Sequence, residues 1–484
     1  MRRHQTYRTI YIVLAAAIAA VGGSCGVVFR PGPDYERPAG EIPARHTYAW
    51  QPDTAAALPA TRWWEVFGDT TLNRLVVEAF RNNLDIRKAT ASVAEMRARS
   101  RQALADRLPA VTAQGTWQKQ ELPESSVIPG QPTSTEQYNL SLAASYEVDL
   151  WGKVSRSREA ALADLAASEE SRRAIVQSVI AETATLYLQM EALERRVQIA
   201  EDLVGNYGRS VATIEGRYRR GLTSVLDLKQ AQRGLASARS VLPQLRQELG
   251  VTQHRLSVLL GRYPESAPPR QQPEDYFTRL APVPAGLPSD LLSSRPDVRA
   301  AEERLRALNA RYGVAAGNLF PRITLTGSYG YRSPELRDIF TPQNVLWNVL
   351  AGITQPIFNS QTLLAETGAA RARYEQGVAD YARTVLGAFA EVENALLTRE
   401  RQLERREYVI DFLEKARATL DIAQNRYDRG LVSYITVLDA WSARYRAEDD
   451  LVLVDLAILT NRVALHRALG GEWLEPEQTE LERR

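Results

Sequence analysis

Three kinds of hydrophobic pattern succeed one another along the 484-residue chain. The first is a block. IYIVLAAAIAAV (10–21) follows the basic residues Arg2, Arg3 and Arg8 and ends in GGSC. A positive start, a short apolar run and small residues mark a secretory signal peptide, assigned to 1–24 and too short to span a bilayer. No later stretch holds eighteen consecutive apolar residues, so the sequence offers no further transmembrane helix. The second pattern has period two. RITLTGSYGY sets Ile323, Leu325, Tyr329 and Tyr331 on one face and Thr324, Thr326 and Ser328 on the other. NLSLAASYEVDLW does the same with Leu140, Leu142, Tyr146, Val148 and Leu150. Such alternation predicts strands with one apolar side. The third pattern is a heptad seam: Val176, Val179, Leu186, Met190, Leu193, Val197, Ala200 and Val204, with Thr183 in its one polar slot. It predicts a helix from about Lys153 to Tyr218, roughly 100 Å long at 1.5 Å per residue.

The patterns occur twice. Residues 217–224 read RYRRGLTS and residues 426–433 read RYDRGLVS. LDIRKATASVAEMRARSRQALADRLPAVTAQGTW (84–117) also aligns without a gap to PDVRAAEERLRALNARYGVAAGNLFPRITLTGSY (296–329). The chain is a tandem duplication. Each copy reads helix, strand, strand, very long helix, turn, returning helix. Gly221 and Gly430 mark the helix-reversal turns, because glycine freely takes the positive φ that such a stop requires. The Pro-rich stretch 264–288 joins the copies, and the repeats are assigned to 63–263 and 289–475, with a tail at 476–484. The fold expected is mainly α, two long helical hairpins with four strands per chain.

Four strands cannot close a membrane barrel, which needs about eight, and an open sheet edge cannot sit in lipid. Strands carrying Trp117, Tyr146, Tyr329, Tyr331 and Trp347 on an apolar face therefore imply a barrel shared among several chains. A soluble sandwich with half-buried strands is the alternative.

Composition adds exclusions. Sixty basic and 58 acidic residues leave a net charge of +2, which gives no reason to expect nucleic acid as a partner. The four histidines are scattered, with no HExxH pair. No G-x-S-x-G elbow follows a predicted strand, and no phosphate-binding glycine loop occurs. Nothing argues for an enzyme or for a cofactor. The single cysteine, Cys25, stands where a bacterial lipoprotein signal places its lipidated residue, although Gly22 replaces the large apolar residue usual three positions earlier. An ordinary signal cleaved nearby is the alternative.

Long stretches of this sequence resemble the TolC family of outer-membrane efflux ducts. They are closest to its lipoprotein branch, the NodT-like outer-membrane factors that serve resistance-nodulation-division (RND) pumps. They are GPDYERP (32–38), WWEVFGDTTLNRLVVEAFRNNLDIRKA (63–89), YEVDLWGK (146–153), SRPDVRAAEERL (294–305) and LFPRITLTGSYG (319–330). The resemblance implies a lipid-anchored homotrimer in the outer membrane. Its twelve-stranded β-barrel would be continued by an α-helical barrel through the periplasm. Segment 25–62 would carry the lipid, and stretches near 40–62, 262–290 and the C-terminus would form a belt. A periplasmic adaptor (membrane fusion protein) and an inner-membrane pump would be the partners. The function implied is passive export of what the pump delivers. The resemblance also implies a periplasmic gate at the reversals, with Asp439 in an acidic ring, Ile435 in an apolar ring, and Tyr427 bonded to Asp227. Some members close the tip with an arginine two residues after the repeat glycine. Val432 stands there, so closure would lean on Ile435 and the Tyr427–Asp227 bond. A periplasmic adaptor, with one hairpin rather than two, and a coiled-coil structural protein of the envelope are the rival readings.

Overall fold

The computed structural model describes residues 31–38, 62–123, 132–265, 294–358 and 360–470. The signal peptide, Cys25, most of segment 25–62, nearly all of the connector and of the proposed belt, and the 476–484 tail lie outside the described residues. The chain divides into two compact units. The described residues of one fall within Met1–Glu36, Ala98–Asp164 and Leu305–Gly377; those of the other fall within Arg37–Arg97, Leu165–Arg304 and Val378–Arg484.

The element order follows the duplication. Copy one has α1 (Thr70–Asn82), α2 (Leu84–Ala105), β1 (Ala110–Glu121), β2 (Ser134–Glu147), α3 (Lys153–Arg219) and α4 (Val225–Leu259). Copy two has α5 (Pro296–Gly317), β3 (Arg322–Ser333), β4 (Val345–Thr354), α6 (Ser360–Asp428) and α7 (Tyr434–Ala468). The long helices α3 and α6 run for 67 and 69 residues.

In the first unit the four strands form one antiparallel sheet in the order β1-β2-β3-β4. The register aligns Ala113 with Leu142, Leu142 with Tyr329 and Tyr329 with Trp347. Paired residues in an antiparallel ladder share a face, so the apolar faces of all four strands merge. That face carries Val111, Trp117, Leu142, Tyr329, Trp347 and Ile353, all exposed. Thr324, Thr326, Ser328 and Asn348 share the opposite face, along with Glu147 and Arg322. Among the described residues β1 and β4 each have one unpaired side. All four helix connections leave from one end of the sheet, and the end of β1, the start of β2, the end of β3 and the start of β4 lie at the other.

Leu150, expected in the strand, lies outside it, because β2 ends at Glu147. The reason is a cap. The Asp149 carboxylate accepts from Val154 N (2.9 Å), Ser155 N (2.8 Å) and Ser155 Oγ (2.7 Å), which starts α3 and ends the ladder. A short segment after Gly32 is bound along the same unit. Asp34 pairs with the buried Arg156 at 2.6 Å, Pro33 O accepts from Asn309 Nδ2 at 3.1 Å, and the Arg306 guanidinium lies 5.0 Å from the Tyr35 ring centre.

In the second unit the helical hairpins pack on one another. The seam of α3 is inside: Val176, Val179, Leu186, Met190 and Ala200 are buried, and Thr183 satisfies its hydroxyl on Val179 O at 2.7 Å. Trp63, Trp64 and Phe67 form a 3-10 turn that packs with α1 against this seam and against Leu459 and Val463 of α7. Helix α1 is an addition to the sequence reading. Asp69 caps it by accepting from Thr71 N and Leu72 N, and Tyr187 of α3 donates to the same carboxylate. Asn83 then separates α1 from α2 by capping Asp85 N and Ile86 N.

Candidate functional site

The two reversals lie in the second unit, where a hydrophobic cluster joins α3, α4, α6 and α7. Each begins with a glycine in the left-handed region, φ +69° at Gly221 and +73° at Gly430. In each, the glycine N–H donates to a carbonyl three residues back, Tyr218 O or Tyr427 O, at 2.9 Å. The next N–H, of Leu222 or Leu431, donates to Arg217 O or Arg426 O, also at 2.9 Å. These bonds satisfy carbonyls that the helix end would otherwise leave open.

The copies diverge at the start of the returning helix. In copy one, Ser224 Oγ accepts from Asp227 N at 3.1 Å. Asp227 Oδ2 in turn accepts from Thr223 Oγ1 (2.8 Å) and Ser224 Oγ (3.0 Å). This resembles a capping box, except that the carboxylate returns to the Thr223 and Ser224 hydroxyls rather than to the Ser224 backbone N–H, and it sits at the positive end of the helix. In copy two, Thr436 takes the place of Asp227, and Ser433 makes no side-chain cap. Tyr434 replaces Val225 and is almost fully buried. Its hydroxyl shares a 2.7 Å hydrogen bond with Ser210 of α3, and its ring meets Tyr427 at 5.3 Å and 60°. Burial raises the Tyr434 phenol above its ordinary pKa.

The structure brings Tyr427, Ile435 and the start of α7 together against the shared cluster. It does not join Tyr427 to Asp227 within the chain. The Asp227 carboxylate is engaged by its own turn, while the Tyr427 ring is held by Tyr434 and by Arg217, whose guanidinium lies 5.5 Å from the ring centre. Ile435 is half-buried and Asp439, one turn further on, is exposed. Four residues apart on a helix, they lie on one face. Burial is the main cause that raises the Tyr207 phenol, and the Asp439 charge acts in the same direction. Tyr434, Ser210 and Tyr207 were missed in the sequence. The signal for Tyr434 was present as a departure from Val225 at the 209-residue offset.

Among the described residues no three His, Cys, Asp or Glu side chains are placed to hold a metal ion, and no helix is long and apolar enough to cross a membrane. The membrane-suited element is the sheet. A one-sided apolar sheet with open edges, joined at one end to long helical hairpins, defines the outer-membrane channel class. The family profile described as "Outer membrane efflux protein" matches residues 75–262 and 287–471. The chain belongs to this outer-membrane efflux protein family. It is 33% identical over 458 residues to the solvent efflux pump outer membrane protein SrpC of Pseudomonas putida, covering 93% of this chain and 96% of that one. It is 32% identical over 443 residues to the cation efflux system protein CusC of Escherichia coli K12, covering 91% and 95%. Among solved structures, the outer-membrane channel OprN superposes with a TM-score of 0.85 at 31% identity, covering 91% of this chain and 99% of that one. The similar folds are channels, which sets aside the adaptor and the coiled-coil structural protein.

Proposed function

We propose that this chain is one of three subunits of a passive efflux conduit, which a periplasmic adaptor and an RND-type inner-membrane pump supply with cargo. The observation that carries this reading is the sheet: a continuous exposed apolar face and two unpaired edges. In a bilayer those edges must be paired, and a third of a closed ring satisfies that demand. Three copies of four strands make twelve. All helix connections leave from one end of the sheet, which suits a barrel continued into the periplasm. No catalytic role is part of the proposal; cargo selection rests with the pump.

The reversals are read as the periplasmic gate. Ile435 supplies a ring that narrows and dries the bore, and Asp439 a ring of negative charge that favours cations. Leu222, Val225, Leu226 and Leu431 are exposed at these turns and supply apolar surface for an adaptor. Cys25 is read as the lipid anchor. It lies seven residues before Gly32, a reach of at most about 25 Å. Gly32 approaches Gly313 near the end of α5, from which the chain enters β3. An acyl chain there would enter the leaflet beside the helix end of the sheet.

The test is detergent fractionation followed by planar-bilayer recording. A heat-modifiable trimer from the outer membrane that forms ion-conducting pores supports the proposal. A soluble monomer, or a membrane trimer without conductance, refutes it.

A further inference from the structure

We propose that a cavity of about 480 Å³ at the helix end of the sheet is a transient binding site for organic anions with a flat apolar body. The cavity lies within the first unit. Glu147, Arg322 and Thr324 line it, and all three belong to the polar face of the sheet, so it opens away from the lipid-suited face. That this side is the bore rests on the channel reading above.

Two features give the site its chemistry. One wall is aromatic: Trp151 and Phe320 stack with ring centres 5.0 Å apart at 25°. The Trp151 indole N–H donates to Pro321 O at 2.7 Å, which fixes the ring and removes its polar atom from competition. A flat apolar body gains by packing on such a wall. The other feature is a guanidinium with uncommitted donors, in a lining whose two cations, Lys153 and Arg322, formally balance Glu147 and Asp149. Lys153 Nζ donates to Glu147 at 2.9 Å, so Glu147 is already committed. Arg322 reaches the same carboxylate only at 3.6 Å and its side chain is 56% exposed. The other acid in the lining, Asp149, spends its oxygens on Val154 N, Ser155 N and Ser155 Oγ. A guanidinium has five N–H donors in a fixed fork that fits a carboxylate or sulfonate. Arg322 lines the cavity, and its one acidic partner among the described residues is this Glu147 contact at 3.6 Å. The volume falls within the range of small-molecule sites.

The test is equilibrium binding of 1-naphthoate to the purified full-length protein in detergent, with 1-naphthalenemethanol as the neutral analogue. Saturable naphthoate binding is expected. Arg322→Gln should weaken it about tenfold, as loss of a charge-assisted hydrogen bond does, and change the neutral analogue less than about twofold. Phe320→Leu should weaken both. Absence of saturable naphthoate binding, or Arg322→Gln binding as tightly as the parent, overturns the site whatever Phe320→Leu does. Planar-bilayer conductance is read in parallel on the parent and Arg322→Gln. Conductance without binding refutes the site alone. Binding that depends on Arg322 without conductance refutes the conduit and leaves the site standing.

Discussion

The Tyr434–Ser210 hydrogen bond ties the start of α7 to α3, one hairpin to the other, beside the proposed gate. Its two ends differ in burial, and that difference sets an unequal prediction. Tyr434 is 1% exposed, whereas Ser210 is only half-buried. Tyr434→Phe removes the hydroxyl and keeps the ring against Tyr427. Water can then serve Ser210, so the loss is one net hydrogen bond, about 1 kcal/mol or a factor of about 5. Ser210→Ala instead strands a buried phenol without a partner, which costs about 1–3 kcal/mol, a factor of roughly 5 to 150. The double variant should behave like Tyr434→Phe, because the stranded hydroxyl is then gone. If the gate opens by parting these helices, the same factors appear per subunit in the open-to-closed ratio of single-channel recordings. Ser210→Ala should leak most, and Tyr434→Phe should suppress that leak. Two single variants with equal effects that simply add would refute the reasoning, since uncoupled sites are additive within a few tenths of a kcal/mol.

Three further predictions concern the gate, the turns and acid stability. Asp439→Ala should lower cation selectivity and Ile435→Ala should raise resting conductance; single-channel recordings in which both variants match the parent would remove these residues from the gate. Gly221→Ala and Gly430→Ala should each cost only about 1–2 kcal/mol, the strain of a left-handed L-residue, because an added Cβ meets nothing within 4 Å at either position; denaturant midpoints check this, and loss of folding would contradict it. Buried His466, stacked on Trp63 at 5.3 Å, has its pKa lowered to about 3 by burial and by Arg462. The unfolded chain takes up a proton near pH 6.5 that the fold refuses until about pH 3, so the stability is complete above pH 6.5 and is lost as pH falls through that window, by at most about 1.4 kcal/mol per unit. Melting temperatures measured between pH 7 and pH 4 should fall less steeply in His466→Phe than in the parent.

Much of the fold was legible because its patterns are long. Eight seam positions at heptad spacing specify one face of α3, and period-two alternation over ten residues specifies one side of a strand. Short capping chemistry was harder to read. Asp69, Asn83 and Asp149 each end or begin an element through two or three local hydrogen bonds, and no periodicity announces them. That is why period two alone carries the predicted strand through Leu150. Helix α1, by contrast, is legible in the sequence, since Leu72, Leu75, Val76 and Ala79 stand at helical spacing behind the capping Asp69. The reversals were half legible for a related reason. A resemblance carries positions across, but a hydrogen bond depends on what else competes for its atoms. Asp227 occupies the position at which a bond to Tyr427 was expected, yet the S-x-x-D spacing from Ser224 already marked it as a capping acid. The box engages one carboxylate oxygen, Oδ2, within its own turn, and Tyr427 packs on Tyr434 and Arg217 instead. The asymmetry between the copies then acquires a physical meaning. Copy one closes its turn on itself through Thr223, Ser224 and Asp227. Copy two lacks that box and secures its helix start through Tyr434 to Ser210 of the other hairpin. The second reversal therefore depends on a contact between hairpins that the first does not need, and motion between them would release it first.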